Sequence, residues 1–96
     1  MEKNKDYYEQ FLRQKETDVL DSVGDILQIE LLLFDLRKLY LRAVDLREEG
    51  NEVAQQLRNQ DTRLRQLLSV EQARLADLEL DVAHAKFMLD LLNRNL

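Results

Sequence analysis

Apolar residues recur at alternating steps of three and four positions through both halves of this chain. The series in the second half is Leu57, Leu64, Leu68, Leu75, Leu78, Val82, Ala85, Leu89, Leu92 and Leu96. The series in the first half is Tyr8, Leu12, Val19, Ile26, Ile29, Leu33, Leu36, Tyr40 and Ala43. The positions that break this rhythm are Lys15, Ser22, Arg47, Asp61 and Glu71. Such spacing keeps apolar side chains on one side of an α-helix, so each half is predicted to pack lengthwise against another helix.

The scarcity of residues that end helices or form turns favours two long helices. The 96 residues contain no proline and only two glycines, whereas sheets need frequent turns. Gly50 is suited to the left-handed conformation that ends a helix, and Asn51 can cap the next one. We therefore predict an all-α fold with helices over about 6–49 and 52–95. These form a long antiparallel helical hairpin in a single domain, 1–96.

Two weaker helix breaks leave an alternative open. Gly24 lies in the Asp-Ser-Val-Gly-Asp segment of the first helix, and Ser69 begins a Ser-x-x-Gln pattern that resembles a capping box in the second. Both apolar series pass these places without losing phase, which favours continuous helices. A three-helix arrangement broken near Gly24 remains the alternative.

The first helix carries more apolar residues than one partner helix can cover, and the second has an extra apolar line near its end. The residues predicted to form a dimer or partner interface are Leu20, Leu27, Leu31, Phe34, Leu41, Leu80, His84, Phe87 and Leu91. A helix that is apolar around most of its circumference is buried around most of it. We expect two hairpins to form a four-helix bundle, most simply a homodimer. Two alternatives stay open: a helical partner protein covers these residues, or the chain is a three-helix monomer.

Four polar residues are predicted to form a layer that fixes the register of the helices: Glu30, Asp61, Glu71 and Arg74. With a turn at Gly50, residue i of the first helix lies opposite about residue 101−i of the second. Glu30 then lies near Glu71, a pair that could do acid/base work or bind metal, or form a salt-bridged layer with Arg74. His84 has only half of a di-metal motif. We predict no catalytic residue, metal or cofactor.

Charge and composition restrict the partners. The net charge of −5 disfavours nucleic acid, and charges within the most apolar stretch, 26–46, disfavour a membrane. The absence of cysteine and of an apolar leader favours the cytoplasm. A basic cluster near the turn includes Arg37, Arg58, Arg63 and Arg65, and it could meet an acidic partner or be a solvated face.

The stretch from Ile26 to Arg65 resembles the small helical chorismate mutases, with a Leu-rich first helix, basic residues and a second helix with acids. The resemblance implies a dimeric, intertwined helical enzyme whose ligand-binding side chains would be Arg37, Arg47 and Arg58. The residues themselves favour a non-enzymatic interaction or oligomerisation module, such as a small scaffold, an adaptor or an assembly or export chaperone. The enzyme is the alternative.

Overall fold

A computed structural model describes residues 3–46 and 51–94 of the chain. Within those ranges the chain forms α1, Lys5–Asp45, and α2, Asn51–Asn93, which pack against each other as a hairpin. The prediction of an all-α helical hairpin is therefore confirmed. The dimeric four-helix bundle stays a prediction.

Both helices continue through the positions where breaks were considered. Gly24 lies inside α1 and Ser69 inside α2, so the alternative of a helix broken near Gly24 is wrong. A glycine within a helix costs only about 1 kcal/mol relative to alanine, which a continuous apolar seam easily outweighs.

The ends of α1 are set by local hydrogen bonds. At its start the Tyr7 amide donates to Asn4 Oδ1 at 3.0 Å, which makes Asn4 a side-chain cap. At its end the Leu46 amide donates to the Ala43 carbonyl at 3.1 Å, and the helix stops at Asp45 rather than at the predicted residue 49. The predicted left-handed cap at Gly50 lies outside the described residues.

The predicted seam is the part of the hairpin that is covered. Its described members are all buried or half-buried, and so are four of the interrupting residues, Lys15, Ser22, Asp61 and Glu71. Arg47 and Leu96 lie outside the described residues. Ala54 is also buried, one step before Leu57 in the same rhythm. The three-and-four spacing therefore predicted which side of each helix faces the other.

Contacts divide the chain into two compact units, and the single domain stays a prediction. Met1–Gly24 and Gln72–Leu96 form the first unit, in which Tyr8, Ser22, Leu78 and Ala85 are buried. Asp25–Glu71 forms the second, in which Ile26, Leu33, Ala43 and Ala54 are buried. The boundaries fall at or within a few residues of Gly24 and Ser69, the two places where the sequence weakens its helices.

The register within the first unit differs from the prediction. The rule of 101−i places Lys15 opposite residue 86 and Tyr8 opposite residue 93. Instead, Lys15 Nζ lies 3.3 Å from the Asp81 carboxylate, and the rings of Tyr8 and His84 meet edge to face with centroids 6.1 Å apart. The predicted register thus differs from these contacts by five residues at Lys15 and by nine residues at Tyr8. Most of the difference at Lys15 follows from the end of α1 at Asp45, four residues before the predicted end.

Candidate functional site

The most exposed apolar surface of α1 is a line that we call the outer stripe, formed by Leu20, Leu27, Leu31, Phe34 and Leu41. These side chains are between 55% and 72% exposed. Leu27, Leu31 and Phe34 lie between seam positions, so the 3.6-residue period directs them away from α2. Leu20 and Leu41, at the two ends of the stripe, also line grooves beside α2. Gly24 and Lys38 occupy the two gaps in the spacing of the stripe, and Lys38 Nζ lies 4.4 Å from the centroid of the Phe34 ring.

On α2 the predicted interface residues belong to the first unit. Leu80 and Phe87 are exposed and lie midway between seam positions, on the side of α2 away from α1. His84 is also exposed, and its ring packs edge-on against Tyr8. Leu91 is half-buried. The histidine therefore has a structural contact within its own hairpin, whatever else it touches.

The four residues of the predicted polar layer have different environments. Asp61 and Glu71 are half-buried in the seam, whereas Glu30 and Arg74 are exposed beside it. The pairing of the Glu30 and Glu71 carboxylates stays a prediction, because the contacts that give the register, Lys15 with Asp81 and Tyr8 with His84, belong to the first unit. The role of the four residues in fixing register also stays a prediction.

The second unit contains a groove of about 330 Å³ along one side of its seam, which we call the arginine groove. Its floor is formed by Leu36, Tyr40, Leu41 and Leu57. Its charged residues are Arg37, Arg58, Arg65 and Asp61. The basic cluster predicted from the sequence is therefore divided, because Arg63 faces the other side of the seam.

Hydrogen bonds hold two of these arginines in place. Arg65 Nε donates to Asp61 Oδ2 at 2.7 Å, one turn earlier in α2, which neutralises the acid in the groove. Arg58 donates to Gln55 Oε1 at 2.8 Å, and this neutral amide does not compensate the arginine charge. Tyr40 lines the same groove as Asp61.

A second groove of the same unit lies on the opposite side of the seam, and we call it the leucine groove. It is lined by Leu32, Leu36, Leu39, Leu64 and Leu67, together with Asp35, Gln60 and Arg63. The residues predicted to form an interface did not include Leu32 and Leu39, which lie seven residues apart on α1. Their heptad phase, matched with that of Leu67, could have shown that both helices present leucines on this side.

Comparison of the chain with family models, with curated proteins and with solved structures gives no match.

Among the described residues, no group of three or more His, Cys, Asp or Glu side chains is placed to hold a metal ion. Neither α1 nor α2, over the same residues, has an apolar run of the length needed to cross a bilayer. The geometry of the chain is thus dominated by apolar faces and one groove with arginines along its edge.

Proposed function

We propose that this chain is a non-enzymatic helical interaction module, cytoplasmic, that associates with a second copy of itself through the outer stripe of α1. The supporting observation is the exposure of five large apolar side chains in one line. At about 25 cal/mol per Å² of apolar surface, covering several of them would contribute several kcal/mol to association. That is comparable to the stability of a small domain.

The spacing of the outer stripe supports self-association. Leu20, Gly24, Leu27, Leu31, Phe34, Lys38 and Leu41 follow alternating steps of four and three, the rhythm of a coiled-coil seam. The alternating steps of four and three are the same in both chain directions. Two copies of α1 can therefore pair antiparallel about a twofold axis, so that the outer stripe of one copy contacts the outer stripe of the other. The result is four helices from two hairpins, with both α1 helices at the centre.

The test is the solution mass of the chain and of one matched pair of variants, measured by size-exclusion chromatography with light scattering at micromolar concentration. The wild type is expected at twice 11.4 kDa. Leu31→Glu places a charge in the middle of the outer stripe and should give a monomer that remains helical. Gln28→Glu adds the same charge at an exposed position outside the stripe and should leave the dimer intact.

A monomeric wild type would contradict this proposal, and so would a Leu31→Glu variant that stays dimeric. A wild-type mass above the dimer would point to open-ended assembly, in which the exposed Leu80 and Phe87 also take part.

A chorismate mutase type of enzyme stays the second candidate, and one observation favours it. Two of the arginines that the resemblance implies as ligands, Arg37 and Arg58, line the same groove. The third, Arg47, lies outside the described residues. A direct turnover assay with chorismate tests this reading. We expect no activity above that of the Arg37→Ala, Arg58→Ala double variant, and a rate that depended on both arginines would favour the enzyme.

A further inference from the structure

We infer that the arginine groove binds an acidic amphipathic helix of a partner protein. This surface lies beside the seam of the second unit and is separate from the centre of the outer stripe, although Leu41 belongs to both. The inference therefore goes beyond self-association and can hold or fail independently of it.

The charge in the groove has the opposite sign to that of the whole protein. Three arginines and one aspartate line the groove, in a chain whose net charge is −5. Asp61 is already paired with Arg65, so it offers little repulsion to an incoming acid. Arg58 is bound to a neutral amide and Arg37 extends from the other helix, so two positive charges from different helices flank the floor. Such a pair fits the carboxylates of one partner segment.

The floor of the groove determines which side chains the partner segment carries between its carboxylates. Leu36, Leu41 and Leu57 present aliphatic surface, and Leu41 is more than half exposed. The groove follows the direction of two packed helices, and its α2 residues extend from Leu57 to Arg65, about 12 Å of helix. This length matches about two turns of a third helix that places leucine or phenylalanine at i, i+3 and i+7 on the floor.

The occupant is therefore a helix with an apolar face bordered by aspartate or glutamate. A basic helix would meet Arg37 and Arg58 as like charges. An uncharged apolar helix would leave the arginine charges without partners, and the leucine groove on the other side of the seam would suit it as well.

The test is fluorescence anisotropy with two labelled helical peptides that share leucines at i, i+3 and i+7. One peptide carries glutamates on both flanks and the other carries lysines at the same places. The glutamate peptide should bind the wild type, and its affinity should fall as salt rises, because the contacts with Arg37 and Arg58 are exposed to solvent. The lysine peptide should bind at least about tenfold more weakly, a difference of ~1.4 kcal/mol.

Charge reversal in the protein gives the matched control. Arg58→Glu and Arg37→Glu change the arginine groove, whereas Arg63→Glu makes the same change in the leucine groove, and all three positions are exposed. We expect Arg58→Glu and Arg37→Glu to lower the affinity for the glutamate peptide at least about tenfold. Arg63→Glu should leave that affinity unchanged. Circular dichroism of each variant verifies that the hairpin is folded.

Three results would overturn the inference. The glutamate peptide does not bind, the two peptides bind equally, or Arg63→Glu lowers the affinity for the glutamate peptide as much as Arg58→Glu and Arg37→Glu do. A loss of the dimer in Arg37→Glu or Arg58→Glu, seen by light scattering, would instead assign the groove to a second copy. Leu31→Glu, which tests the outer stripe, should bind the glutamate peptide as the wild type does. Failure of self-association and failure of this inference are therefore distinguishable.

Discussion

Replacement of Ala85 by leucine tests how closely the two helices approach each other in the first unit. Ala85 is fully buried, with 0% of its surface exposed, and it occupies a seam position where most other members are larger. A leucine would place three additional carbons where no space remains. Overpacking of this kind costs typically about 1–3 kcal/mol, because neighbouring side chains leave their preferred rotamers or the helices move apart.

The matched control is Ala83→Leu, two residues away on the same helix and exposed. It makes the same change in composition and in helix propensity without entering the seam. Its effect should stay within about 0.5 kcal/mol, as is usual for surface substitutions. The difference between the two variants thus isolates the packing cost at Ala85.

The assay is thermal and urea unfolding followed by far-UV circular dichroism. For a chain of this length, 1–3 kcal/mol corresponds to a fall in Tm of roughly 4–24 °C. The scans should be repeated at several protein concentrations, because association raises the Tm of a folded oligomer in a concentration-dependent way. If Ala85→Leu unfolds at the same temperature as Ala83→Leu, the helices are not in close contact at this level, and the reasoning from burial is wrong.

Three further predictions use the same unfolding assay. Gly24→Ala should stabilise the monomeric hairpin by about 0.5–1 kcal/mol, since beyond its chain neighbours and the adjacent helix backbone no atom lies within 4 Å of the added Cβ. A lower Tm would indicate that the glycine is needed there. Leu33→Ala should cost about 2–5 kcal/mol, because only 6% of Leu33 is exposed, and a cost near zero would mean that the seam is not the core. Asp81→Asn should cost less than about 1 kcal/mol, and the loss should disappear in high salt, because its ion pair with Lys15 is partly exposed; a loss that persists there would show that the pair is not the cause.

The fold could be predicted from the sequence because one physical signal extends through nearly the whole chain. The seam residues repeat with the period of a helix, and their burial depends on that period alone, so Leu33 and Leu78 could be placed in the core without coordinates. The continuity of α1 through Gly24 followed from the same signal. A glycine changes local propensity by about 1 kcal/mol, while the seam adds many buried contacts on both sides of it.

The register could not be predicted as well, because it depends on where a single helix stops. Residues of good helix propensity continue past Asp45, so the sequence offered no reason to end α1 there. An error of four residues at that end moves the expected partner of a residue by about one turn, which is most of the five-residue difference found for Lys15 and Asp81.

The candidate sites were predicted in part. The outer stripe follows directly from helical spacing, and its exposure agrees with that reading. The arginines near the turn were recognised as a basic cluster, but composition alone could not divide them between two grooves. That division follows from heptad phase, because Arg58 and Arg65 are seven residues apart whereas Arg63 is out of phase with both.

The division into one continuous and one discontinuous unit has a consequence for the order of folding. Asp25–Glu71 contains both sides of its own contacts, so it can close a short loop as soon as those residues are available. The first unit forms later, because Tyr8 contacts His84, which follows it by 76 residues in the sequence. During synthesis, the N-terminal part of α1 should therefore remain uncovered until residues 72–93 have emerged. Hydrogen exchange on the refolding chain should show amides of residues 25–71 protected first, with those of residues 5–24 following.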